Sequence, residues 1–225
     1  MNYYEIIERS KTWPIHYELA NFHVRCLKTQ FSEHPWSVAE CEYEFLRNKI
    51  KERGCKFGFE IGTGTGISTI GAGLAFKETG GHLVTLDPFV EEFFGRCDLY
   101  SKDNREQSLS GVGLHLQGIL DELELPVESV IGWSPQDVES SIIKYFPQGK
   151  LDYVFIDARH QSDSTLEDFN AVLPFLADNC IIFFHDVPCI DESTQNYISE
   201  KLRSNWVKPE QFKNPYGFNL CYLER

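Results

Sequence analysis

Two short stretches of this chain place titratable side chains directly after apolar runs. LDYVFIDARH (151–160) ends on Asp157, with His160 three positions later, and CIIFFHDV (180–187) carries His185 and Asp186. In an open parallel sheet, ligands bind at the carboxyl ends of the strands. Asp157 and Asp186 are therefore expected to point at one site. Paired carboxylates repel unless a cation or a shared proton sits between them. Hard oxygen ligands completed by waters and substrate oxygens suit Mg²⁺. His160, in the loop after its strand, titrates near neutrality and can take a proton from a substrate hydroxyl. His185 is a neighbour of the pair, although strand alternation turns it away from Asp186 unless the strand has already ended. Each residue alone also has a plain reading, as a turn, cap or loop residue.

Such groups need a frame, and a second motif supplies part of it. FGFEIGTGTGIST (57–69) puts Glu60, Gly62, Gly64 and Gly66 at a strand-to-helix turn, with Ser68 in the first helical turn. Glycines let the backbone turn tightly and approach a ligand, and the following helix start offers free N–H groups. The dinucleotide fingerprint needs glycine three residues after Gly64, where Ile67 stands. The next apolar run ends on Asp87, about 20 residues beyond the loop, where an acid can accept from both hydroxyls of a ribose. A third run ends in GWSPQD (132–137). Trp133 there can wall an adenine ring or fill the core, and Ser134 or Gln136 can meet the adenine edge.

The positioning elements follow from periodicity. Apolar runs at 56–61, 82–87, 128–133, 151–157 and 180–186 alternate with helical patterns at 66–79, 113–124, 136–146, 164–177 and 192–204. Near-continuous apolar strands between helices imply a parallel sheet covered on both faces. Two strand-like runs in the tail, NWVKPEQF and GFNLCYLE, read as an edge hairpin, where Pro209 and Pro215 are tolerated. The expected architecture is a Rossmann-like, doubly wound α/β fold with a mostly parallel seven-stranded sheet and an antiparallel C-terminal hairpin strand. Residues 1–50 read as a helical, substrate-side lid and 51–225 as the main domain. The polar segment 93–111 reads as a further cover.

Composition narrows the partners. The 225 residues are enough for one domain with its own core. A net charge of −13 leaves little to neutralise phosphates, so nucleic acid is not an expected partner. The seven cysteines form no CxxC pair, against a disulfide framework or a thiolate zinc site. No apolar run is long enough to span a bilayer. The first residues lack the pattern of a secretory signal, so a cytoplasmic location is expected. The composition admits a homo-oligomer without specifying one.

The glycine loop preceded by Glu60, then Asp87 and GWSPQD at successive strand ends, resembles the class I S-adenosylmethionine (SAM) methyltransferases. Asp157, His160 and Asp186 resemble the D-x-x-H and acid–Asp motifs of metal-dependent O-methyltransferases. The resemblance is to the subset similar to macrocin O-methyltransferase and cephalosporin-hydroxylase-like proteins, related to catechol O-methyltransferase. It implies SAM contacts from Glu60, Gly62, Gly64, Gly66, Ser68, Asp87, Trp133, Ser134 and Asp157. It further implies Mg²⁺ held by Asp157, His185 and Asp186, His160 as general base, and a small-molecule hydroxyl as acceptor. The chain departs from the subset at Arg159, where an acid is usual, and at His185, which replaces the acid of the second motif. The other readings are a metal-independent (N-)methyltransferase, a non-catalytic SAM-fold binding protein, and a nicotinamide dehydrogenase, which Ile67 disfavours.

Overall fold

The structure is a computed structural model that describes residues 1–2, 5, 38, 40–64, 66–88, 111–147, 149–209 and 220–225. Elements are numbered along those residues. A helix α1 (Glu40–Arg53) precedes β1 (Phe57–Ile61), α2 (Ile67–Thr79), β2 (His82–Asp87), α3 (Gly111–Glu122) and β3 (Val127–Ile131). Then follow α4 (Val138–Tyr145), β4 (Leu151–Ile156), α5 (Ser162–Val172), β5 (Leu176–Phe184), α6 (Glu192–Leu202) and β6 (Cys221–Glu224).

The described strands form one six-stranded sheet in the order β3-β2-β1-β4-β5-β6. All neighbours are parallel except β5 and β6, which pair antiparallel. Side chains alternate between faces along a strand, and the core divides accordingly. Tyr153 and Phe155 of β4 join α1, α2 and α3 on one face, while Val154 and Ile156 join α4, α5 and α6 on the other. These residues are almost wholly buried. Removing each large apolar side chain from water contributes roughly 1.5–3 kcal/mol. That double burial explains why the strands read as unbroken apolar runs.

The helix expected over 66–79 is Ile67–Thr79, and it stops on Gly80, whose left-handed backbone (φ 70°) returns its N–H to the Phe76 carbonyl. The helix expected to reach 177 ends at Val172, because Pro174 forces a short 3-10 turn over Leu173–Phe175. Strand β5 therefore begins at Leu176 rather than 180. It also ends early, at Phe184, two residues short of the expected Asp186.

Six strands are seen among the described residues where seven are expected. Val207 forms an antiparallel bridge to Tyr222, but residues 210–219 lie outside the described residues. Most of the expected lid (3–4, 6–37 and 39) and of the expected cover (93–110) lies outside them as well. Helix α1 runs through residue 50, where the lid is expected to end, and packs against α2. No described helix is long and apolar enough to cross a membrane.

Candidate active site

The chain winds outward from β1 to β3 and, on the other side, from β4 to β6, so the strand order reverses between β1 and β4. Crevices at such switch points are where α/β sheets bind ligands. Here the carboxyl ends of β1 and β4 touch. The Asp157 N–H donates to the Ile61 carbonyl at 2.9 Å and the Gly62 N–H to the Leu86 carbonyl at 2.9 Å. A Cβ on Gly62 would lie 2.1 Å from the Asp157 carbonyl oxygen, and φ there is +94°. Only glycine fits that position. Gly64 (φ +51°) is the opposite case, since a Cβ there would meet nothing within 4 Å. Its N–H donates to Asp87 Oδ2 at 3.2 Å, so the loop and the end of β2 already share a carboxylate. Gly66 caps α2.

Beneath this loop lies Glu60, buried at 1% exposure. Ser68 Oγ donates to its Oε1 at 2.6 Å and Thr69 Oγ1 to its Oε2 at 2.5 Å. Burial pushes the Glu60 carboxyl up to about 7, against the hydroxyl hydrogen bonds that lower it. A second buried pair, Thr63 and Thr85, joins the loop to β2 at 2.6 Å. Glu60 and Ser68 are thus turned towards each other, tying the glycine loop to the start of α2.

After β3, Trp133 is 52% exposed and is no part of the core. Its N–H donates to Asp137 Oδ2 at 2.7 Å, which fixes the turn that presents the ring. Ser134 Oγ donates to Asp168 Oδ1, a fully buried acid of α5 whose carboxyl burial raises. Arg159 also reaches this turn. Its Nη2 donates to the Ser134 carbonyl at 3.4 Å and to Glu167 Oε2 at 3.1 Å. The residue that departs from the family pattern therefore links the loop after β4 to the turn after β3.

At the ends of β4 and β5, Asp157, His160 and Asp186 each bring one ligand atom to within 4.8 Å of the others. His160 Nδ1 lies 2.9 Å from Asp186 Oδ2 and 3.9 Å from Asp157 Oδ1. His185 joins them because β5 has ended and Asp186 adopts a left-handed conformation (φ 52°), which cancels the alternation expected of a strand. Its Nδ1 is 3.4 Å from Asp157 Oδ1 and 3.5 Å from Asp186 Oδ2. Its Nε2 is 3.2 Å from Oε2 of Glu42, a fully buried acid on α1.

The charges interact strongly. Burial pushes Asp157 up to about 6, although His185 and His160 pull it down. Burial would raise Asp186 too, but hydrogen bonds from His160 and His185 hold it well below the usual carboxylate range. The bond to Asp186 raises His160. Two carboxylates and neighbouring imidazoles within this span suit a divalent cation, which would offset the negative charge that Asp157 resists.

The family described as "Methyltransferase domain" matches residues 59–187, more than half of the 225-residue chain. This chain belongs to that family. Its fold is that of the class I SAM-dependent methyltransferases. The methyltransferase resembles the O-methyltransferase TomG of Streptomyces achromogenes, solved with SAM, at a TM-score of 0.61 and 14% identity, covering 98% of this chain and 95% of that one. It resembles an O-methyltransferase of Bacillus cereus, solved with SAH, at 0.59 and 14%, covering 98% and 97%. A third similar structure is a putative caffeoyl-CoA O-methyltransferase of Staphylococcus aureus, at 0.55 and 12%, covering 99% of each chain. No curated protein matches the methyltransferase in sequence.

Sequence reasoning missed Glu42. The signal was present: Glu42, Leu46 and Ile50 recur at intervals of four on the buried stripe of α1, so an acid stands on an apolar face. Asp168 was missed in the same way, beside Phe169 on the buried side of α5. An acid placed where a helix is buried calls for a partner.

Proposed function

We propose that this methyltransferase moves the methyl group of SAM to a hydroxyl oxygen of a small molecule, with His160 as general base and a divalent cation held by Asp157 and Asp186. The observation that carries this reading is the convergence of Asp157, His160 and Asp186 beside the glycine loop, with Gly62 packed on the Asp157 backbone. The proton-accepting and carboxylate groups thus stand one strand away from the loop that would hold the methyl donor.

On the donor side, Asp87 is placed to accept from ribose hydroxyls, and the exposed Trp133 ring to cover an adenine. The Gly64 backbone leaves room for the amino-acid part of SAM. Ser134 and Arg159 shape the adenine turn, while Glu60 and Ser68 brace the loop from below.

On the acceptor side, Asp186 accepts from His160 Nδ1, which leaves Nε2 with a lone pair for the substrate proton. The hydroxyl oxygen attacks the methyl carbon in line with the departing sulfur, and its proton passes to His160 Nε2. The carbon–sulfur electron pair stays on sulfur, giving a neutral thioether. A bound divalent cation supplies positive charge that orients the hydroxyl and makes it more acidic. Much of the rate would come from holding methyl and oxygen in line.

Incubation with methyl-labelled SAM and a panel of phenols, catechols and sugar hydroxyls tests the reading. Label is expected in a methyl ether. Label only in amines, or in no acceptor, would contradict it.

A further inference from the structure

His185 stands where relatives of the resembled subset carry an acid, and its surroundings say what it does there. A carboxylate can only accept a hydrogen bond, so the contact from His185 Nε2 to Glu42 Oε2 at 3.2 Å places the ring proton on Nε2. In the neutral ring, Nδ1 then carries a lone pair. That lone pair faces Asp157 Oδ1 at 3.4 Å and Asp186 Oδ2 at 3.5 Å. Something positive belongs among these three atoms: a proton on Nδ1 in the empty site, or a metal ion that displaces that proton on binding.

The spacings agree with a shared ion. Two ligand atoms about 2.1 Å from one metal lie about 3.0 Å apart at right angles and about 3.4 Å apart at tetrahedral angles. Ligand histidines commonly donate their second nitrogen to a carboxylate, which fixes tautomer and orientation. Glu42 meets that description. It is fully buried, comes from a different element than the other groups, and α1 is anchored by Tyr43, Leu46 and Ile50 in the core.

We propose that Glu42 is a positioning residue that holds His185 Nδ1 towards Asp157 and Asp186, making the imidazole a metal ligand and turning the site's preference from Mg²⁺ to a transition-metal ion such as Mn²⁺. This rests on the metal-assisted reading above. Mg²⁺ favours oxygen ligands in a near-ideal octahedron, whereas first-row transition ions accept imidazole nitrogen alongside carboxylate. His160 is not needed for this set, because its Nδ1 is engaged with Asp186 on the more exposed side.

The test is Mn²⁺ binding to the full chain, followed by electron paramagnetic resonance, with Mg²⁺ as competitor. Wild type should hold Mn²⁺ against at least a tenfold excess of Mg²⁺, and pulsed spectra should show nitrogen coupling from one imidazole. That coupling should persist in His160→Gln and vanish in His185→Asp, in which the preference for Mn²⁺ over Mg²⁺ should shrink. Glu42→Ala should weaken Mn²⁺ about 10–100-fold, with partial recovery in Glu42→Gln, whose amide oxygen can still accept. Coupling that survives in His185→Asp, or equal competition by Mg²⁺, would overturn the proposal. Mn²⁺ bound without nitrogen coupling would overturn it while leaving the metal reading intact. Failure of wild type to bind either ion would end both.

Discussion

His160 Nδ1 lies 2.9 Å from Asp186 Oδ2, so the histidine after β4 is oriented by the carboxylate after β5. This is the arrangement a general base needs: one ring nitrogen tied down, the other left for the substrate. His160→Gln should lower kcat by about 10²–10⁴-fold, the usual worth of a positioned base. Affinity for SAH should stay within about twofold. Calorimetry beside steady-state kinetics separates the two effects. Equal losses in binding and turnover would mean that His160 shapes the donor site instead.

Asp87 holds the Gly64 N–H, and the proposed function has its carboxylate accept from the ribose. Hydrogen bonds to a charged group contribute about 1.5–3 kcal/mol each. Asp87→Ala should therefore weaken SAH binding about 10–100-fold by calorimetry. Unchanged affinity would remove Asp87 from the donor site.

Trp133 separates stability from binding. With half its surface already exposed, Trp133→Ala should change unfolding free energy by less than about 1 kcal/mol in a urea titration. Loss of a stacking face should cost about 1–3 kcal/mol of SAH affinity. A large loss of stability with unchanged affinity would contradict the adenine-facing placement.

Glu60 gives a pH test of the fold. Its folded pKa, about 7, lies above its ordinary 4.5. A raised pKa means that the folded state binds the proton more tightly. The stability it contributes is complete below about 4.5 and is lost as pH rises through about 7. The loss is on the order of 3 kcal/mol at most. Glu60→Gln stays neutral, so its Tm should gain on that of wild type as pH rises from 5 to 8. A Tm difference independent of pH would refute the ionisation assigned to Glu60.

Much of this molecule is legible in its sequence. The double burial of the sheet shows as unbroken apolar runs such as YVFI, and the turn glycines show as gaps that only a backbone can fill. Asp157, His160 and Asp186 were legible because strand ends in parallel sheets point at ligands. The end of β5 was not. CIIFFHD reads as one strand, yet the left-handed backbone at Asp186 stops it at Phe184 and brings His185 and Asp186 to the same place. Periodicity carries no information about such a bend. Glu42 was hidden differently, since its partner His185 lies 143 positions away and no local pattern joins them. Arg159 stands out in the sequence as a departure from the family pattern, and nothing local says what it touches. Its link from Ser134 to Glu167 depends on two loops meeting in space.

The most direct measurement is methyl transfer by Asp157→Ala and by wild type with and without EDTA, beside SAH calorimetry for both proteins. The Asp157 backbone packs on Gly62 of the glycine loop, and its carboxylate stands within the cluster with His160 and Asp186. Turnover is expected to fall at least about 10²-fold in the variant and in EDTA-treated wild type, to return in wild type on adding a divalent cation, and to leave SAH affinity nearly unchanged. Full turnover by Asp157→Ala, or by wild type in EDTA, would contradict it.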